Sequence, residues 1–176
     1  MVLAEMKPRK GHVRGRLEQM VRAPAPMTIS AARSISLAEC IRLLEGSDPW
    51  ATLGYKKSHF RIIARSSRYS TNVKVTIRRK TIAFTSFKLG FMRGAYMSLL
   101  AVDPDYRHTG VGSALMDHAE KLIFMKTNNV FLCVASFNAR AQEFFKRRGY
   151  QPVGVLYRLI ADEYDEILFR KCKGDH

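Results

Sequence analysis

Apolar residues at two different spacings predict the strand and helix at the centre of this chain. Residues 96–102 form a mostly apolar run, which is typical of a buried strand. From residue 113 onward, apolar side chains recur every three or four positions, which predicts a helix, at Leu115, Ala119, Leu122 and Ile123. Residues 103–112 lie between the two and contain one proline and two glycines, which predict a loop.

The same patterns predict the other elements. The remaining predicted strands are residues 27–33, 72–77, 81–88, 130–136, 150–160 and 164–171. A basic turn at residues 78–80 joins two of them in a hairpin. Helices are predicted after Ser36, over residues 57–65 and from Asn138 to Arg148, and Ser36 and Asn138 are capping residue types. Gly149 is placed to end the last helix in a left-handed conformation.

The loop before the central helix carries the chemistry of an anion site. The first amides of a helix have no partner within it and carry the positive end of its dipole. Gly110 and Gly112 lack Cβ atoms, so an anion can approach those amides closely. Arg107 adds a guanidinium fork that suits phosphate. The loop therefore predicts a pyrophosphate site, although its spacing is neither GxGxxG nor GxxxxGK[ST].

Two motifs resemble those of one enzyme family. Arg107-x-x-Gly110-x-Gly112, preceded by Leu-Ala-Val-Asp-Pro-Asp-Tyr, resembles motif A of the GNAT superfamily, the acyl-CoA-dependent N-acyltransferases. The run N-x-x-A-x-x-F-F-x-x-x-G-Y at residues 138–150 resembles motif B of the same family. The resemblance implies an α/β fold with a mixed, mostly antiparallel sheet of about six or seven strands. About four helices would flank this sheet, and strands four and five would splay apart.

The resemblance also implies acetyl-CoA as cosubstrate, direct attack by an amine, and no metal. An acyl-CoA arm carries amides, so it can pair with the free edge of strand four as a surrogate strand. The cofactor-binding residues implied in this way are Leu100, Ala101, Val102, Arg107, His108, Thr109, Gly110, Val111, Gly112, Ser113, Asn138 and Phe145. Trp50 and Tyr55 are candidates for the acceptor wall, with ordinary packing as the alternative.

The acid–base residues of the family do not carry over to this sequence. The usual tyrosine acid of motif B is Phe145, and Cys133 occupies the place of a glutamate base found in ribosomal-protein N-terminal acetyltransferases. We predict Ser98, which would order a water, and Tyr150 as catalytic residues. The other candidates are Tyr96, Tyr157, Asp162, Glu163, Asp165 and Glu166.

The absence of the usual base favours an acceptor that is easily deprotonated. A lysine amine with a pKa of about 10.4 is neutral only about once in a few thousand molecules at pH 7. An α-amine with a pKa of about 7.7–8.0 is neutral far more often. We therefore expect an α-amine of a protein or peptide, or a weakly basic small-molecule amine, to be preferred over lysine.

Two other functions stay open, one because of the net charge and one because of a residue in motif B. The chain has 30 Lys and Arg against 15 Asp and Glu, a net charge of +15, which favours acidic or nucleic-acid-associated partners. One alternative is a basic scaffold that associates with RNA or ribosomes. The other is a CoA-binding module that has lost catalysis, which the phenylalanine in motif B suggests.

Length and composition suit one acetyltransferase domain over residues 27–176, preceded by a basic extension over residues 1–26 that is a candidate for disorder. No apolar run reaches the ~18–20 residues of a membrane span. Three widely separated cysteines without CxxC spacing argue against disulfides or zinc and predict a cytoplasmic protein. The sequence leaves a homodimer open.

Overall fold

The computed structural model describes residues 26–174. Almost all of the predicted basic extension, residues 1–25, lies outside the described residues, as do residues 175–176. The strands are β1 (Met27–Ala32), β2 (Thr71–Ile77), β3 (Lys80–Phe91), β4 (Gly94–Val102), β5 (Asn129–Ala135), β6 (Gln151–Ala161) and β7 (Tyr164–Cys172). The helices are α1 (Leu37–Leu44), α2 (Lys57–Ser67), α3 (Val111–Phe124) and α4 (Ala139–Arg147), with a short 3-10 turn at Pro104–Tyr106.

The strands form one sheet in the order β1-β2-β3-β4-β5-β7-β6. Every neighbouring pair is antiparallel except β4 and β5, which run parallel. A parallel pair needs a crossover between its strands, and α3 provides it. This architecture confirms the predicted α/β fold with its mixed, mostly antiparallel sheet and four helices.

Two apolar cores hold the helices against the sheet. In the larger one, Leu115, Met116 and Ile123 of α3 are buried together with Val73 and Phe169 of the sheet. In the second, buried side chains of α1 and α2 pack with Phe84 and Ala101. Burial of apolar area, which stabilises the fold by ~25 cal/mol per Å², is the main force that fixes these helices in place.

Capping residues set where the helices begin. Ser36 and Glu39 form a reciprocal capping box at α1, and the Asn138 side chain accepts a hydrogen bond from the amide of Ala141 at α4. Helix α3 instead begins after Gly110, which has a left-handed backbone with φ of +86°. A residue with a Cβ atom would be strained there, which explains this glycine.

Gly94 is a position where the fold itself requires glycine, and its replacement tests the packing of β4 against β5. A Cβ atom at Gly94 would lie 2.6 Å from the carbonyl oxygen of Asn129 and 2.7 Å from its Cβ atom. Because these atoms cannot move without shifting β5, we expect Gly94→Ala to destabilise the fold by about 1–3 kcal/mol. Thermal unfolding checks this, with Gly154→Ala as control, since no atom lies within 4 Å of a Cβ atom there. Equal melting temperatures for the two variants would contradict the predicted clash.

The outermost strand, β6, exposes several large apolar side chains, at Val153, Val155, Leu156, Tyr157, Leu159 and Ile160. An unpaired apolar edge is the kind that pairs with another chain. The homodimer that the sequence leaves open stays a prediction. Within residues 26–174, no helix is both long and apolar enough to cross a membrane.

Candidate active site

A cleft opens where β4 and β5 part. Residues Ala95–Met97 of β4 pair with Val130–Leu132 of β5, and no further pairing joins these two strands, both of which are described over their full length. Beyond this point the strands diverge around a cleft of about 1070 Å³. This is the splay that the resemblance implies. It leaves the β5-facing backbone groups at the end of β4 without strand partners, and unpaired buried groups favour a ligand that can bond to them.

A bulge shapes the cleft wall at Ser98. Met97 pairs with Phe87 and Leu99 pairs with Ser86, so Ser98 has no partner residue on β3. Bulges of this kind bend a strand and are common beside active sites. The Ser98 hydroxyl donates a hydrogen bond of 3.3 Å to the carbonyl of Ser86, and Ser98 lines the cleft. Its role in ordering a water stays a prediction.

The amino end of α3 forms one end of the cleft. Gly110 and Gly112 line it, and nothing lies within 4 Å of a Cβ atom built at Gly110. At Gly112 such an atom would meet only the side chains of Val102 and Phe144, at 3.5 and 3.9 Å. The space over the helix amides is therefore open, as an anion site requires.

Basic side chains surround this helix end. Arg107 donates a 2.8 Å hydrogen bond to the hydroxyl of Ser47 and a 3.3 Å bond to the carbonyl of Val102, which fixes its guanidinium at the cleft. His108, with a left-handed φ of +63°, lies 2.5 Å from a guanidinium nitrogen of Arg140. Arg107 and Arg140 add positive potential where the helix dipole is already positive.

Glu166 places a carboxylate with a raised pKa in the cleft. It lies on β7 opposite Ala135 of β5 and lines the cleft, although only 5% of its surface is exposed. Burial raises the pKa of its carboxyl from 4.5 to about 6. Such a group is ionised at neutral pH and more basic than an ordinary carboxylate, so it can act as a general base.

Tyr96 and Cys133 line the cleft together with Glu166. Burial raises the pKa of Tyr96, and the neighbouring Cys133 and Glu166 raise it further. Burial also raises the pKa of Cys133, against the opposing effect of its hydrogen bond with Tyr96. Both groups therefore hold their protons at neutral pH, which makes Tyr96 a hydrogen-bond donor and leaves Cys133 a poor nucleophile.

The structure places Tyr150 away from the cleft. Its side chain is 1% exposed, and its hydroxyl donates a 3.2 Å hydrogen bond to Glu120. Burial, together with the Glu120 carboxylate, raises the pKa of Tyr150. Glu120 is also paired with Arg148 and Lys171, so this set is a buried charge cluster that joins α3, β7 and the end of α4. The predicted catalytic role of Tyr150 has no support from this position.

The remaining candidates near the last hairpin differ in how exposed they are and in whether they line the cleft. Asp162 and Glu163 lie on the exposed turn between β6 and β7. Asp165 accepts a hydrogen bond from the amide of Arg158, and the Tyr157 side chain is 79% exposed. Glu166 alone among the four acidic candidates is buried and lines the cleft.

The structure brings most of the predicted cofactor residues to the cleft. Those that line it are Leu100, Ala101, Val102, Arg107, His108, Gly110, Gly112, Ser113, Asn138 and Phe145. Thr109 donates its hydroxyl proton to the carbonyl of Tyr106, and the side chain of Val111 is buried in the core. Trp50 and Tyr55 line the cleft, as expected of wall residues.

Sequence reasoning missed three polar residues at the cleft. Ser47 holds Arg107, while Arg140 and Arg147 of α4 contribute lining side chains. The position of Arg140, two residues after the helix-capping Asn138, was a usable signal, since it places a cation in the first turn of a helix that borders the cleft. Ser47 gave no signal, because its contact joins residues that are far apart in the chain.

A second depression, of about 760 Å³, lies at the other end of the sheet around Arg93, Lys126 and Arg170. The described residues that line it include no acid, histidine or cysteine, so it offers no carboxylate, imidazole or thiol for catalysis. No group of three or more metal-ligating side chains occurs within residues 26–174. We therefore place the candidate active site in the cleft between β4 and β5.

Comparison with known proteins agrees with this geometry. A model of the acetyltransferase (GNAT) family matches residues 37–150. The peptidyl-lysine N-acetyltransferase YjaB of Salmonella typhimurium is 37% identical over 68 residues, which cover 38% of this chain and 44% of the relative. The match thus spans less than half of that relative's length.

Solved structures share the fold. The ribosomal-protein-S18-alanine N-acetyltransferase of Escherichia coli aligns with a TM-score of 0.62 and 20% identity over 84% of this chain and 94% of its own. The PaiA N-acetyltransferase of Thermoplasma acidophilum, in complex with coenzyme A, aligns with a TM-score of 0.60 and 18% identity over 83% of this chain and 99% of its own. At these identities the likeness concerns the fold alone. Because the family model covers well over half of the sequence, the chain belongs to the acetyltransferase (GNAT) family.

Proposed function

We propose that this chain is an acetyl-CoA-dependent N-acetyltransferase that acts on a primary amine. The observation that carries the proposal is the cleft where β4 and β5 part, with the glycine-flanked amino end of α3 at one end and the buried Glu166 on its wall. The helix end and the parted strands suit a diphosphate and an amide-bearing arm. The carboxylate suits removal of a proton from an amine.

The residues present fit the cosubstrate. The amides of Gly112 and Ser113 in the first turn of α3, with Arg107 beside them, would hold the diphosphate. Leu100 and Val102 would offer backbone groups to the amides of the arm. Asn138 already uses its side-chain oxygen in the cap of α4, so its amide nitrogen would be the group left to face the ligand.

Acetyl-CoA would supply an activated thioester carbonyl, and the protein would remove the proton of the acceptor amine. Glu166 would take a proton from the acceptor ammonium, directly or through a water ordered by Ser98. The departing thiolate would take its proton from solvent, because the raised pKa of Tyr96 makes that phenol a weaker acid than a thiol. Tyr96 would hydrogen-bond to the departing sulfur, and Glu166 would supply the base that Cys133 does not provide.

The acceptor entrance is largely apolar. Trp50, Leu53 and Tyr55 from the segment between α1 and α2 line one part of the cleft, and Leu159 and Ile160 of β6 line another. An amine carried by an apolar or amphipathic chain fits this entrance better than a polycation does. YjaB is described as acting on peptidyl-lysine and the Escherichia coli structural relative on an alanine of a ribosomal protein, and both acceptors are peptide amines.

We expect the α-amine of a peptide to be the better acceptor. At pH 7 an α-amine is neutral far more often than a lysine side chain, and a base with a pKa of about 6 is too weak to offset that difference. The measurement is kcat/KM for two peptides of identical sequence, one with a free α-amine and blocked lysine, the other with the reverse. We expect at least a tenfold preference for the α-amine, and a preference for lysine would contradict it.

A CoA-binding module without catalysis is the competing function, because Phe145 replaces the usual tyrosine acid. It predicts tight uptake of acetyl-CoA with no release of free thiol on a panel of peptides, polyamines, aminoglycosides and amino acids. The buried Glu166 argues against it, since carboxylates with strongly raised pKa values cluster at functional sites. The cytoplasmic location expected from the cysteines stays a prediction.

A further inference from the structure

The exposed face of α2 carries a row of cations. Lys57, Arg61, Arg65 and Arg68 follow one another at intervals of three or four residues, and all four are exposed. Residues so spaced are neighbours on one helix face, about 6 Å apart along the axis. We call these four residues the basic face of α2. Residues 56–70 contain no aspartate or glutamate that could neutralise it.

No acidic residue elsewhere in the described part of the chain forms an ion pair that neutralises the positive charge of this face. Within residues 26–174, Glu39 pairs with Lys74, and Glu120 pairs with Arg148 and Lys171, but no ion pair involves the basic face. Like charges one helical turn apart destabilise a helix. The first turn of α2 also lacks an acidic residue, so Lys57 there opposes the helix dipole, whereas Arg65 in the last turn is favourably placed. An external anion would relieve both effects.

Two exposed apolar side chains accompany the basic face. Tyr69 directly follows Arg68, and 76% of its surface is exposed; Ile62 is 67% exposed. An aromatic ring beside a run of arginines is the combination with which proteins hold unpaired bases and their phosphates. A purely acidic protein surface would use the charges but not the ring. Three of the four cations on this face are arginines, which also favours phosphate, because the guanidinium fork contacts it through two hydrogen bonds.

We propose that the basic face of α2, together with Tyr69, binds single-stranded nucleic acid. Helix α2 presents Ile63 and Ser66 to the cleft and the basic face to solvent, so the bound strand would lie next to the acceptor entrance. The location beside an acceptor rests on the proposed function, whereas the binding itself does not. An acceptor amine on a protein that is itself bound to RNA would be delivered to the cleft in this way.

Fluorescence anisotropy with a labelled 20-nucleotide RNA, measured between 50 and 300 mM KCl, tests the proposal. The triple variant R61E/R65E/R68E is expected to raise Kd at least tenfold and to reduce the salt slope by about two units, since each phosphate contact on a single strand contributes ~0.7. Tyr69→Ala is expected to weaken binding severalfold with an unchanged slope, because stacking releases no counterions.

The matched control is K88E/K121E/K126E, which changes net charge by the same amount on exposed positions away from α2. We expect it to alter Kd less than threefold. Equal weakening by both triple variants would overturn the proposal, because binding would then follow net charge alone. Displacement of the RNA by polyglutamate at equal charge concentration would assign the surface to an acidic protein instead.

Two further arms complete the test. A DNA strand of the same sequence that binds as tightly as the RNA would support recognition of phosphates and bases, whereas a duplex that binds as tightly as the single strands would overturn the role of Tyr69. The variant R61K/R65K/R68K changes the same three positions but retains their charge, and it is expected to keep the salt slope. It therefore separates the effect of charge from the effect of replacing these side chains. Acetyl-CoA uptake is measured separately, so failure of RNA binding and failure of acetyl transfer are distinguishable.

Discussion

Glu166→Gln is expected to lower kcat/KM for acetyl transfer by about 100-fold or more, because a positioned general base contributes about that factor. The same substitution should stabilise the fold. Burial raises the pKa of this carboxyl from 4.5 to about 6, so the ionised form costs about 2 kcal/mol relative to an unperturbed glutamate. Steady-state kinetics and thermal unfolding at pH 7.5 measure the two effects on one variant.

The stabilisation expected for Glu166→Gln depends on pH, and the raised pKa of Glu166 sets the direction of that dependence. The folded protein binds more protons than the unfolded chain between pH 4.5 and 6, so the contribution of Glu166 to stability falls as pH rises through this window and its full cost is present above it. The stabilisation by Glu166→Gln should therefore be clear at pH 7.5 and largely absent at pH 4. Glu163→Gln, on the exposed turn, changes the same charge and should alter neither property. Wild-type activity in Glu166→Gln would remove Glu166 from the mechanism.

Gly112→Asp is expected to weaken binding of acetyl-CoA at least 100-fold without loss of stability. Gly112 lies in the first turn of α3, where a carboxylate interacts favourably with the helix dipole and a Cβ atom meets only ordinary contacts. The same carboxylate would occupy the site proposed for the diphosphate, and its negative charge would repel that of the diphosphate. Calorimetric titration with acetyl-CoA gives Kd, and thermal unfolding shows whether the helix is retained.

Ala38→Asp is the matched control for this variant. Ala38 occupies the equivalent position in the first turn of α1, where it is exposed and away from the cleft. It should give the same small change in stability with an unchanged Kd. If Gly112→Asp bound acetyl-CoA as tightly as the wild type, the diphosphate would have to bind elsewhere.

The sequence predicted the elements well because their signals are local. The apolar run of β4, the helical spacing in α3 and the caps at Ser36 and Asn138 each depend on residues within a few positions. The glycine-containing loop before α3 was predictable for the same reason, since Arg107, Gly110 and Gly112 lie close together in the sequence. The hairpin turn between β2 and β3 was predicted as well, but not its left-handed φ of 48° at Arg78 and 65° at Arg79, which asparagine or glycine would have signalled.

The acid–base residues could not be chosen from sequence alone. Tyr150 and Glu166 are both polar residues near the end of the chain, and only their burial and partners distinguish them. Tyr150 is buried and hydrogen-bonded to Glu120, whereas Glu166 reaches the cleft because β7 pairs with β5 in a register that sets it opposite Ala135. A shift of one residue in that register would have turned Glu166 to the other face of the sheet.

Hydrogen exchange of backbone amides with and without acetyl-CoA tests the central claim most directly. If the arm of the cosubstrate pairs with β4 where β5 departs, saturating acetyl-CoA should slow exchange at residues 99–102 and at the first turn of α3. Residues 95–97, already paired with β5, should change little. Unchanged exchange at both places, or protection only around the depression near Arg93 and Lys126, would contradict binding in the cleft.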